Sequence, residues 1–263
     1  MSATPIPRTL AMFLYAGLDV SVLDELPPGR QEISSLLIPP SKKERMYGFI
    51  ENELESGHQA YIICPLVEDS EDEALENEFS GGSGSTLLSA TALEKELEKR
   101  FAPHRVALLH GKMKPSVKNE VMSDFARGDV KVLVSTTVVE VGVNVPNATI
   151  MVIENADRFG LAQLHQLRGR IGRGSAKSWC IFITASKSKA ALSRLEFFTK
   201  CSDGFKIAEY DLEERGPGDF FGSRQHGELA LPVTAGLGDT GLLKLALDCA
   251  RKYFEEIKEG KNI

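Results

Sequence analysis

The chain has 263 residues, 42% of them hydrophobic, and its four cysteines (Cys64, Cys180, Cys201, Cys249) include no CxxC pair. That length supports one full core with a smaller appendage, and the cysteine spacing argues against a disulfide framework or a zinc site. No run approaches the roughly 18 apolar residues of a membrane span, and the first residues lack a charged-then-apolar signal pattern, so no membrane partner is expected and a reducing cytoplasm is the expected compartment. The net charge of −6 has one source: residues 68–78, EDSEDEALENE, hold seven acidic residues and no basic one, and without them 31 basic residues face 30 acidic. A near-neutral body neither demands nor forbids nucleic acid, so local clusters of Lys and Arg carry the information.

In chain order, the apolar runs are ISSLLI (33–38), AYIICPL (60–66), RVALLH (105–110), KVLVST (131–136), TIMVIE (149–154) and WCIFIT (179–184). They are β-branched and almost continuously apolar, which predicts strands buried on both faces, with Cys64 and Cys180 as ordinary core residues. Ser41 followed by Glu44 forms a capping-box pattern, and that helix is expected to stop near Gly57. The acidic run and the SGGSGS that follows it (80–85) read as one solvated insertion, expected to be dispensable and to lie away from any nucleic acid. Thr91 and Glu94 repeat the capping pattern, on a helix that could begin a few residues earlier. Pro115 suits a first helical position, Val117, Val121 and Phe125 a single face, and Gly128 the stop. Strands alternating with helices predict a doubly wound parallel α/β sheet over about 30–200. Ligands are expected at the carboxyl ends of its strands. Residues 188–215 read as two helices broken near Ser202–Gly204, followed by a Gly-rich loop, GPGDFFGSRQHG (216–227). A last helix, capped by Asp239 or Thr240, would carry Leu243, Leu247, Ala250, Phe254 and Ile257 on one face.

Two segments carry chemistry. QLRGRIGRG (166–174) sets two arginines three apart around glycines that let the backbone turn tightly. Planar guanidinium groups grip phosphate oxygens bidentately and neutralise charge that grows during phosphoryl transfer, although such a segment alone also suits a solvated basic turn. VSTTVVEVGVNVPNA (134–148) leaves a strand through Thr136 and Thr137, whose hydroxyls and backbone amides suit phosphate oxygens. Alone it equally suits a strand end and a helix cap.

Together these resemble motifs V and VI of superfamily 2 helicases, in the right order and on the right elements. MSATPIPRTLA at the start resembles motif III, HQAYIICP (58–65) motif IV, and LHGKMKP (109–115) the strand end that touches the nucleic-acid backbone. DELPPGR (24–30) and DLEERGPGDFFGSRQHG (211–227) narrow the resemblance to RecG-type ATP-dependent DNA helicases, over essentially the whole chain. The second block is similar to the translocation motif those enzymes share with the transcription-repair coupling factor Mfd.

The resemblance implies a RecA-like doubly wound sheet, with a small, mainly helical C-terminal extension. It implies the tail of a first motor domain and a linker at 1–29, a second RecA-like helicase domain at 30–187, a helical hairpin and translocation loop at 188–230, and a C-terminal helical segment at 231–263. It assigns catalysis to Gln166, Arg170 and Arg173. Gly142 and Asn144 join these three around ATP, with Asn144 standing where the superfamily has Asp, so the charge there is lost. His110, Gly111, Lys112, Thr136 and Thr137 would contact DNA; Arg194, Arg215 and Gln225 would serve translocation. No Walker A pattern, G-x-x-x-x-G-K-[ST], occurs in the sequence. The expectation is a segment of a longer protein, inactive alone, whose first motor domain holds most of the Mg²⁺ coordination and whose wedge domain parts the strands of branched double-stranded DNA. An Mfd-like translocase and a catalytically silent nucleic-acid-binding module are the alternatives.

Overall fold

A computed structural model describes residues 31–65, 86–136 and 145–215, together with 245, 246, 249, 250 and 252–254. The motif III segment, DELPPGR, the acidic insertion, Thr137, Gly142, Asn144, the 216–227 loop with Gln225, and the caps Asp239 and Thr240 lie outside the described residues.

All six apolar runs form strands: β1 (Ile33–Ile38), β2 (Gln59–Cys64), β3 (Val106–Leu109), β4 (Val132–Thr136), β5 (Ala148–Ile153) and β6 (Ser178–Ile183). They build one parallel sheet in the order β1-β6-β5-β2-β4-β3. The central strands β2, β4 and β5 are buried at every position, as continuous hydrophobicity requires of strands covered on both faces.

Helices follow in alternation: α1 (Lys43–Glu55), α2 (Thr86–Arg100), α3 (Pro115–Arg127), α4 (Leu161–Arg168) and α5 (Lys189–Lys200). One face of the sheet offers Ala60, Ile62, Val132, Val134, Ile150 and Val152 to Met46, Tyr47, Ile50 and Leu54 of α1 and Leu97 of α2. The other face sets Tyr61 against Phe125 of α3, rings 4.8 Å apart, and Phe182 edge-on to Phe198 of α5. Each such large apolar side chain contributes on the order of 1.5–3 kcal/mol by leaving water. Gln59 is one of several buried polar residues; its side-chain amide donates to the Phe125 and Val130 carbonyls at 2.6 and 2.8 Å.

Helix ends follow local chemistry with one correction. Pro115 opens α3, Gly128 closes it in the left-handed region, and Gly57 (φ +92°) follows the end of α1. Ser41, by contrast, does not cap α1. Pro39 is extended and Pro40 already starts a 3-10 turn through Lys42, so Ser41 sits inside a turn and Glu44 pairs outward with Arg100 at 2.8 Å. Val117 is exposed instead of sharing the face of Phe125, because eight residues at about 100° each leave the two roughly 80° apart.

The described residues up to Lys200 form one compact unit, and those from Cys201 belong to a second. In the second, α6 (Gly204–Arg215) starts at the expected break, with Asp203 Oδ1 accepting from Phe205 N at 2.9 Å. The described residues of the last helical segment, Ala250 and Phe254 among them, are exposed.

Candidate nucleotide and nucleic-acid sites

The candidate residues divide between the two edges of the sheet. The carboxyl edge gathers the nucleic-acid set. Register aligns Leu109 with Ser135 and Cys64 with Thr136, so His110, the next residue out of β3, stands one strand spacing, about 4.8 Å, from the line of Thr136. Thr136 is buried and its Oγ1 finds no hydrogen-bond partner among the described residues; the same holds for His110 Nδ1. Burial, helped by Lys118 and Lys112, holds the His110 imidazole below its ordinary range, so it is neutral at neutral pH. Gly111 and Lys112 are exposed, and Lys118 Nζ donates to the Gly111 carbonyl at 2.6 Å, which ties this turn to α3. Two unsatisfied polar atoms beside exposed lysines suit phosphodiester oxygens.

The arginine turn lies at the opposite, amino edge. Gly172 has φ +70°, and a Cβ there would come within 2.8 Å of Ile33 Cγ1, at the start of β1. A Cβ on Gly174 would come within 2.6 Å of the Pro146 carbonyl oxygen, just ahead of β5. Only glycine allows the turn to press this closely on the sheet. This placement corrects the expectation that all ligand contacts follow the carboxyl ends. A strand of five or six residues separates the two edges by roughly 17–20 Å. Thr136 closes β4 at the carboxyl edge and Val145 precedes β5 at the amino edge.

Arg170 is half-buried and Arg173 exposed, and neither has a carboxylate partner among the described residues. Arg173 Nε lies 3.4 Å from the Gly169 carbonyl. Both arginines stand close enough to the Tyr61 hydroxyl to favour its ionisation, although burial dominates and pushes that group up to about 12. Gln166 is exposed on the last turn of α4. Two guanidinium groups with no carboxylate partner among the described residues, on a turn fixed by glycines, fit a polyphosphate. Among the described residues no three His, Cys, Asp or Glu side chains gather as a metal site.

Three residues that the motifs did not single out hold this arrangement. Arg168 is buried; its Nη1 donates to the Phe198 carbonyl at 3.1 Å, its guanidinium lies 4.3 Å over the Phe198 ring, and its Nη2 is 3.3 Å from His165 Nδ1. It ties α4 to α5. Asp157 accepts from the Thr184 hydroxyl and, through its carbonyl, from Arg194 Nη2 at 2.7 Å. Lys43 Nζ pairs with the buried Glu154 at 2.8 Å. Arg168 lies inside QLRGRIGRG, and the partners Glu154 and Thr184 are polar ends of apolar runs; no local pattern marked Lys43 or Asp157. Trp179 is half-buried, with Phe49 edge-on and Lys177 Nζ 4.4 Å over its ring, so it is less enclosed than a core residue.

A family model described as "Helicase conserved C-terminal domain" matches residues 41–175, the stretch that supplies both edges. The chain belongs to this helicase family. Over 258 residues it is 46% identical to the ATP-dependent DNA helicase RecG of Thermotoga maritima, covering 98% of the chain and 31% of that relative. It is 48% identical over 228 residues to RecG of Bacillus subtilis, covering 86% of the chain and 32% of the relative. A solved structure of RecG bound to a three-way DNA junction superposes with a TM-score of 0.70 at 44% identity, over 92% of this chain and 30% of that one. The RecG-type resemblance read from the motifs therefore holds over nearly the whole chain, and the helicase fold is the RecA-like one expected. The chain spans about a third of the length of these relatives. No described helix is long and apolar enough to cross a membrane.

Proposed function

We propose that this chain is the C-terminal motor half of an ATP-dependent DNA helicase that remodels branched double-stranded DNA, such as stalled forks and Holliday junctions, in cytoplasmic replication restart, recombination and repair. The observation that carries the reading is the division of the site: unpaired arginines on one edge of the sheet, unsatisfied polar atoms and lysines on the other. One rigid sheet then connects a nucleotide site to a nucleic-acid site.

ATP, when bound, supplies the phosphoanhydride whose cleavage drives the cycle. Gln166, Arg170 and Arg173 reach its phosphates, and the two arginines neutralise charge that grows on the transferred phosphoryl group. Gly142 and Asn144 complete this half of the nucleotide site. Mg²⁺ belongs mainly to a first motor domain elsewhere in the protein. His110, Gly111, Lys112, Thr136 and Thr137 hold the DNA backbone without reading sequence. Arg194, Arg215 and Gln225 couple the motor to translocation, and a wedge domain of the same protein parts the strands. Residues 1–29 serve as the end of the first motor domain and a linker, 30–187 as the second motor domain, 188–230 as hairpin and loop, and 231–263 as the C-terminal helical segment.

The test compares this chain with the full-length protein, using phosphate release with forked DNA and gel-resolved fork reversal. Full-length protein is expected to turn over at about 1 per second or above and to reverse forks, while the chain alone does neither. Full-length protein that binds forks but never hydrolyses ATP would establish a silent binding module instead.

A further inference from the structure

Cations on this unit differ sharply in whether they are paired. Those flanking the amino ends of β3 and β4 are engaged: Arg105 and Arg127 both bind Asp124, Arg127 also Asp129, and Lys131 Nζ is 3.4 Å from the Gly57 carbonyl. Arg100 bridges Glu44 and Glu51 on the helical face. The turns that leave the carboxyl ends of β1, β5 and β6 behave otherwise. Lys42, Arg158, Lys187 and Lys189 are exposed there and have no carboxylate partner among the described residues.

These cations do not stand on loose chain. The Lys42 amide donates to the Pro39 carbonyl at 3.0 Å, and the neighbouring Lys43 is fixed to Glu154. Arg158 closes a 3-10 turn whose Asp157 binds Thr184, and Ser186 N donates to that same threonine hydroxyl at 3.0 Å. Thr184 N in turn meets the Ile38 carbonyl at 3.4 Å, so the exits of β1 and β6 are stitched together. The acidic residues of these three turns, Glu154 and Asp157, are both consumed internally. The charged side chains of these turns that are exposed are the cations Lys42, Arg158, Lys187 and Lys189.

We propose that this rim extends the DNA-backbone track, carrying phosphate contacts from His110 and Lys112 across the sheet edge to Lys42, Arg158, Lys187 and Lys189. Six strands at about 4.8 Å spacing give an edge of roughly 24 Å, enough to follow a duplex backbone past a single turn of contacts. Tied turns reduce the backbone ordering that binding demands, and cations with no carboxylate partner among the described residues need break no ion pair to engage phosphate. The partner is duplex DNA, recognised by phosphate spacing and not by bases. The inference rests on the nucleic-acid reading above and adds four residues to it.

The experiment measures binding of a fluorescent three-way DNA junction to this chain by anisotropy from 50 to 200 mM salt. Each lost phosphate contact lowers the slope of log K against log salt by about 0.9. The variant Lys42→Gln/Arg158→Gln/Lys187→Gln/Lys189→Gln is expected to lose about 3.6 from that slope and at least about tenfold in affinity, with the melting temperature unchanged. Lys187→Gln and Lys42→Gln alone should each lose about 0.9, which keeps the test decisive if the quadruple variant folds poorly. An unchanged slope in these variants, while Lys112→Gln lowers it, would overturn the rim and leave the functional reading standing. A parent chain with no salt-dependent binding at all would overturn the functional reading itself.

Discussion

Arg170 and Arg173 share a turn but not an environment, one half-buried and the other exposed, and neither is neutralised by a carboxylate among the described residues. In the full-length protein, Arg170→Ala or Arg173→Ala is expected to lower kcat at least about a hundredfold with a smaller change in DNA affinity, because the lost interaction belongs to the transition state. Lysine should rescue poorly, since a point charge cannot reproduce a bidentate fork. Steady-state ATPase beside equilibrium DNA binding measures both; near-normal kcat in the double alanine variant would make the turn an ordinary basic surface. His110 gives a second expectation. Burial and two lysines depress its pKa in the free protein, whereas a phosphate would favour the protonated ring. Binding then takes up a proton, so affinity should rise as pH falls below the usual histidine range. His110→Asn should abolish that rise; a pH profile identical to that of the parent would remove His110 from the contact.

Between elements, a few polar side chains do what apolar packing cannot. Gln59 links β2 to the end of α3 through two carbonyls, both enclosed. Gln59→Leu keeps most of the volume but takes the side-chain donor from the Val130 carbonyl and leaves the Phe125 carbonyl with Gly128 N alone, a cost of about 1–3 kcal/mol. Thermal unfolding checks this, and a loss below about 0.5 kcal/mol would mean that the carbonyls find other donors. The elements themselves were largely legible: six apolar runs became six strands, and Pro115 and Gly128 marked a helix at both ends. Ser41 misled because the capping-box pattern ignores a preceding Pro-Pro pair that commits the chain to a 3-10 turn. Val117 misled because i, i+4, i+8 spacing drifts around a helix and the last member leaves the buried face.

For the whole molecule, the insertion at 68–85, which lies outside the described residues, carries a prediction of its own. Its composition predicts indifference to both stability and DNA binding. β2 ends at Cys64, in register with Thr136, and the seven carboxylates of 68–78 follow it closely in sequence. Deleting 68–85 should leave the melting temperature unchanged, because the segment has few apolar side chains to add to a core. It should tighten junction binding at low salt, an effect that fades as the Debye length shrinks from about 30 Å at 0.01 M to about 10 Å at 0.1 M. Equal affinity at low salt would show that the insertion does not compete with DNA.

By itself the sequence determined the sheet, the alternation of helices and the residue types of both sites. Short, almost continuously apolar runs alternating with amphipathic helices suit parallel strands covered on both faces, and paired arginines among glycines carry their chemistry wherever they sit. Only the tertiary structure decided which edge each site occupies. The strand order β1-β6-β5-β2-β4-β3 is set by crossovers and packing that no local pattern encodes. That order brings His110 beside Thr136 and presses Gly172 and Gly174 onto the starts of β1 and β5. It also separated paired cations from unpaired ones, because the partner of an arginine such as Arg100, Glu44, lies 56 residues away in sequence and 2.8 Å away in space.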